Sequence, residues 1–145
     1  MTAKCYSSSI LTRTSTVKIR ILIVENESLV RKVLARILAN YSDVEVVGEA
    51  ATGEEAIRSV GTVDPHIVLM DISMPRMDGI TATQEIKRLY PNVKVIGLTE
   101  HAEGYELFAM TTAGADSVHM KSMATEHLYA AILRATADLD LTGHE

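Results

Sequence analysis

Two runs in this chain, IRILIV at 19–24 and HIVLM at 66–70, are almost unbroken in β-branched and aliphatic residues. A strand with one wet face alternates polar and apolar positions. A strand that is apolar throughout has both faces covered. Covering both faces of a sheet takes helices above and below it, and that is how parallel sheets are built.

The rest of the chain supplies those helices. Apolar runs of strand length fall at Ile19–Val24, Val44–Gly48, His66–Met70, Val93–Leu98 and Ser117–Met120, with helical periodicity between them. The first helix carries Leu29, Val33 and Ile37 beside Val30, Leu34 and Leu38, a wide apolar stripe at 3.6-residue spacing. Thr52-Gly-Glu-Glu55 matches a capping box and opens the second. The third is predicted from about Asp78 to Tyr90, where Pro91 stops it. The fourth, near Ala102–Thr112, ends at Gly114, a natural left-handed cap. The last, Thr125–Ala137, is expected to bury Leu128, Ala131, Ile132 and Ala135. The order is (βα)5, a doubly wound parallel sheet of the flavodoxin-like type with strand order 2-1-3-4-5.

Composition sets outer limits. One domain accounts for 145 residues, with 47% apolar residues to build its core. The net charge of −5 gives no reason to expect nucleic acid or an anionic membrane as partner. The single cysteine, Cys5, excludes an intrachain disulfide and suits a reducing, cytoplasmic setting. Residues 1–17 are rich in Ser and Thr and read as a disordered leader. Residues 18–137 form the domain, and 138–145 read as an acidic tail or the start of a linker.

In doubly wound sheets, ligands bind beyond the carboxyl ends of the strands, where the strand order reverses. Those ends carry Glu25 and Asn26 after strand 1, Asp71 after strand 3, Thr99 after strand 4 and Lys121 after strand 5. Carboxylates there can hold Mg2+, which prefers oxygen ligands. A lysine and a hydroxyl can neutralise and donate to a phosphoryl group. Of the two carboxylates, Asp71 is the candidate nucleophile, because its strand lies between those that bring its partners.

On these residues the chain resembles the receiver domains of two-component response regulators, from Ile19 to about Ala137. The match is strongest in VLMDISMPRMDG (68–79), then in Gly114-Ala115-Asp116 with Lys121, then in Leu98-Thr99. The stretches IRILIVENESLVRKVLARIL and VEVVGEAATGEEAI are similar to regulators that carry a LuxR-type helix-turn-helix. The resemblance implies that Asp71 accepts a phosphoryl group from a sensor histidine kinase. It implies Mg2+ on Glu25, Asn26, Asp71 and the Ser73 backbone carbonyl, with Thr99 and Lys121 stabilising the phosphoryl group. A downstream protein or attached output domain, and a homodimer, are the other partners it implies. The chain would then be the receiver part of a transcription regulator, without nucleic-acid or membrane contact of its own. No enzymatic activity is expected beyond transfer and loss of its own phosphoryl group.

Three positions depart from the family pattern. Asn26 stands where a second acid is usual, which predicts weak Mg2+ binding; it also suits the N-cap of the first helix. Glu100 takes the usually small position after the switch threonine and would control access to the acceptor. Val118 replaces the usual aromatic residue three places before the lysine, leaving Tyr105 and Phe108 as other routes to an output surface. Together these favour an alternative reading, a pseudo-receiver that signals by protein contacts without phosphorylation. Enzyme readings find less support: there is no Gly-rich phosphate loop, and the five histidines lack zinc spacing. Arg31, Lys32 and Arg36 read as a solvated helix face.

Overall fold

The computed structural model describes residues 17–101 and 104–139. The leader up to residue 16, the end of the tail and the start predicted for the fourth helix therefore lie outside the described residues. Five strands alternate with five helices: β1 (Ile19–Val24), α1 (Ser28–Leu38), β2 (Val44–Ala50), α2 (Gly53–Val63), β3 (Ile67–Asp71), α3 (Gly79–Leu89), β4 (Lys94–Thr99), α4 (Gly104–Ala113), β5 (Ser117–Met120) and α5 (Thr125–Ala135). All strand pairs are parallel, and the order is β2-β1-β3-β4-β5. The predicted flavodoxin-like architecture is the observed one.

The sheet splits the core in two. Leu22, Val24, Val68, Met70 and Val95 pack with Ala56, Val60, Ala82, Ile86 and Met110 from α2, α3 and α4. On the other face Ile21, Ile23, Ile67, Leu69 and Ile96 meet Leu38, Leu128, Ala131 and Ile132 from α1 and α5. Each fully buried Ile or Leu contributes about 1.5–3 kcal/mol, so the unbroken apolar runs stabilise both layers at once. A second tie secures the α1/α5 side: Tyr41 stacks on Tyr129 with ring centroids 3.9 Å apart, and the Tyr129 hydroxyl donates to Asp43 at 2.7 Å.

Several boundaries differ from expectation. β3 and β4 each run one residue further, so Asp71 and Thr99 are the last residues of their strands. α5 stops at Ala135, which is half-buried; beyond it the Thr136 hydroxyl bonds back to the Ile132 carbonyl at 2.9 Å. Asn26 does not cap α1: the N-cap is Glu27, without a side-chain cap bond. The apolar stripe of α1 is also narrower than its periodicity predicts. Leu29 is 73% and Val33 48% exposed, while Leu38 is buried and Leu34 packs against the core on the α1/α5 side of the sheet. The Thr52 box forms as predicted, with Thr52 accepting from the Glu55 N–H and Glu55 accepting from the Ala51 N–H.

Candidate functional site

Three side chains from three different strand ends meet at the carboxyl edge of the sheet. Lys121 Nζ lies 2.9 Å from Glu25 Oε1 and 3.0 Å from Asp71 Oδ1. Both acids are 1% exposed. The sheet makes this meeting possible, since β1 and β3 are neighbours and β5 reaches them past β4. Lys121 is fixed by its own backbone, whose N–H donates to the Thr99 carbonyl at 2.7 Å.

Local chain geometry holds each acid in place. Glu25 Oε2 accepts the Glu27 N–H at 3.1 Å, and Asp71 Oδ1 accepts the Ser73 N–H at 3.2 Å. The loop after β3 then folds back tightly. The Gly79 N–H donates to the Ile72 carbonyl, and Asp78 caps α3 by accepting the Thr81 N–H. Gly79 is required there because a Cβ would strike the Asp71 carbonyl oxygen and come within 2.8 Å of Ile72 Cα. Arg76 in the same loop has φ 65, a left-handed conformation tolerated at a cost of about 1–2 kcal/mol.

Arg31 was expected on a solvated face, but its side chain is only 16% exposed. It donates to the Glu25 carbonyl oxygen at 2.6 Å and pairs with Glu49 at 3.1 Å, so it braces the end of β1. Nothing in the spacing of Arg31, Lys32 and Arg36 singles it out; the neighbouring strand end does.

Burial drives the electrostatics. Desolvation raises the Asp71 pKa to about 6 from 3.8, with Glu25 adding to the rise; the Lys121 hydrogen bond and charge and the Ser73 N–H oppose it. Burial also works against the Lys121 charge, but hydrogen bonds and charge from Glu25 and Asp71 outweigh it and raise its pKa. Asp71 Oδ2 is buried without a hydrogen-bond partner among the described residues. An oxygen of that kind, beside a second buried acid, suits a hard cation or an electrophilic phosphorus.

The other predicted residues are placed less directly. Asn26 is exposed beyond β1, and Ser73 is exposed two residues past Asp71. Glu100 approaches Lys121 Nζ to 3.7 Å with its side chain 61% exposed, so it stands at the mouth as a third, weaker acid partner. Thr99 is 4% exposed, but its hydroxyl is not bonded to the acids. Its one proton can go to Glu106 Oε1 at 2.5 Å or to the His101 carbonyl at 2.8 Å, and it accepts the His101 N–H at 3.1 Å. Val118 is half-buried on β5, on the α4 side of the sheet. Glu106 escaped sequence reading because it lies seven residues past Thr99, across a loop.

The family model of the response regulator receiver domain matches residues 21–133. The chain belongs to that family. Response regulator protein VraR of Staphylococcus aureus is 36% identical over 118 residues, which is 81% of this chain and 56% of VraR. The chain thus spans about half the length of the curated relatives it matches. Among solved structures, a LuxR-family two-component response regulator from Aurantimonas sp. superposes with TM-score 0.80 at 30% identity, covering 83% of this chain and 86% of that one. The isolated receiver of RcsB from Salmonella enterica serovar Typhimurium, solved with the phosphomimetic BeF3−, gives 0.76 at 26% identity, covering 83% and 90%. Receivers are signalling domains of two-component systems, generally without enzymatic turnover of other substrates, and they bind Mg2+. No helix among the described residues is long and apolar enough to cross a membrane.

Proposed function

We propose that this receiver is a phosphorylation switch in which Asp71 accepts the phosphoryl group of a sensor histidine kinase. The observation that carries the reading is Lys121 set between two buried carboxylates, at 2.9 and 3.0 Å. In the transfer, an Asp71 carboxylate oxygen forms a bond to phosphorus as the P–N bond of phosphohistidine breaks. The electron pair of that bond leaves on the imidazole. Deprotonated Asp71, the form present above about pH 6, is the nucleophile. The Lys121 charge then moves from the carboxylate to the incoming oxygens.

Glu25, Asp71, the Asn26 amide and the Ser73 carbonyl would hold Mg2+, and the unpartnered Asp71 Oδ2 supports the fit. Bound there, the ion supplies positive charge to the transferring oxygens. With Asn26 in place of an acid, that affinity is weak. Phosphorylation alters contacts with an attached output domain or a downstream protein, with a homodimer as one outcome, in a cytoplasmic transcription regulator. Glu100 favours a second reading, the pseudo-receiver, since its approach to Lys121 puts an anion where a phosphodonor must pass.

Intact mass after incubation with acetyl phosphate and Mg2+ separates the two. One added phosphoryl group, absent from Asp71→Asn, supports the switch. No adduct, even with an active histidine kinase as donor, supports the pseudo-receiver.

A further inference from the structure

We propose that Glu106 is a positioning residue that holds the Thr99 hydroxyl away from the phosphoacceptor and releases it, together with the start of α4, when Asp71 is modified. The inference rests on the reading of Asp71 as phosphoacceptor; the latch itself is a feature of the unmodified protein.

A hydroxyl has one proton to give. Here that proton goes toward a carboxylate 2.5 Å away or to the His101 carbonyl, and a carboxylate is the stronger acceptor. Donation to a phosphoryl oxygen at Asp71 needs the same proton, so the two bonds exclude each other. A phosphoryl group also brings roughly −1.5 to −2 charge to the cleft, which repels the Glu106 carboxylate. Both effects act in the same direction.

The packing of α4 turns this exchange into a movement. Only Met110 and Ala113 of this helix are buried, and both lie in its C-terminal half. Met110 is held firmly: it is 0% exposed, and a Cβ on Gly97 would come within 2.7 Å of its methyl carbon. The N-terminal half exposes Tyr105 at 74%, Leu107 at 51% and Phe108 at 72%. Within that half, Glu106 reaches back to the strand edge through Thr99. Breaking one bond therefore frees the first turns of α4 and their aromatic surface while Met110 stays anchored. Such a route needs no aromatic side chain at position 118, where this chain has valine.

The test combines beryllium fluoride affinity, measured with Mg2+, with amide hydrogen exchange in the unmodified protein, using Glu106→Gln, Glu106→Ala, Thr99→Ala and the Thr99→Ala/Glu106→Ala double variant. Glu106→Ala should bind beryllium fluoride on the order of tenfold more tightly than wild type, the range expected for losing one charge-assisted hydrogen bond. Glu106→Gln should fall between, and in the Thr99→Ala background Glu106→Ala should gain only the smaller part that comes from removing the carboxylate charge, well short of tenfold. A role for Glu106 in merely stabilising α4 would not raise affinity, nor depend on the Thr99 hydroxyl. In the free protein, the Phe108 and Ala109 amides should exchange about tenfold faster in both Glu106→Ala and Thr99→Ala. Unchanged exchange in both, or unchanged or weaker binding by Glu106→Ala where wild type binds, overturns the latch. If wild type takes no beryllium fluoride but exchange accelerates as described, the phosphoacceptor reading fails and the latch stands.

Discussion

Neutralising Asp71 should stabilise the fold at neutral pH, and the gain should vanish in acid. Asp71 is 1% exposed and shares one lysine with Glu25, so its ionised form is costly in the folded chain. Its pKa is about 6 when folded and near 3.8 when unfolded. A raised acid contributes stability that is fully present below about pH 4 and is lost as the pH climbs through about 6. At about 1.4 kcal/mol per pKa unit the loss is at most about 3 kcal/mol. The amide introduced by Asp71→Asn cannot ionise and escapes the loss, though it surrenders part of the Lys121 pairing, so a net change of about 1–3 kcal/mol is expected. Urea unfolding of wild type and Asp71→Asn at pH 4, 5, 6, 7 and 8, with EDTA present, measures it. The stability difference should move in favour of the variant between pH 4 and 7 and then level off. A difference that stays flat, or moves toward wild type as the pH rises, would refute the electrostatic account of the site.

Other outcomes follow from the same geometry. Lys121→Ala leaves Glu25 and Asp71 facing each other without a cation, and should cost about 3–5 kcal/mol at pH 8 by chemical unfolding, less at pH 5. Gly79→Ala forces a methyl group onto the Asp71 carbonyl and Ile72 Cα, contacts of backbone that cannot swing away. It should cost about 2 kcal/mol or more, the scale of strain from overpacking, and slow acetyl phosphate transfer because Asp71 is displaced. Asn26→Asp restores a second acid beside Glu25 and should tighten Mg2+ binding in a direct titration; equal affinities would show that Asn26 does not weaken the site.

Local signals explain most of what could be read from the chain. The runs at 19–24 and 66–70, the Thr52 box and the stop at Pro91 each act within a few residues, so each is visible in one dimension. Topology then follows from general rules for parallel sheets, and it carries Glu25, Asp71 and Lys121 to one edge. Other details depended on distant neighbours. Leu29 and Val33 have the right periodicity, but α1 meets the core through Leu34, Ala35 and Leu38, which leaves them exposed. Arg31 sits among basic residues on a helix, but the Glu25 carbonyl and Glu49 draw it inward.

By itself, then, the sequence determined the alternating elements, their stacking and the identity of the residues at the strand ends, because hydrophobic periodicity and strand-end position are properties of the chain. Tertiary structure alone decided how those ends are wired. Which acids share Lys121, and that the Thr99 hydroxyl bonds with Glu106 and His101 and not with those acids, depend on distances of a few ångströms between separate segments, and hydrogen bonds and charge pairs are set at that scale.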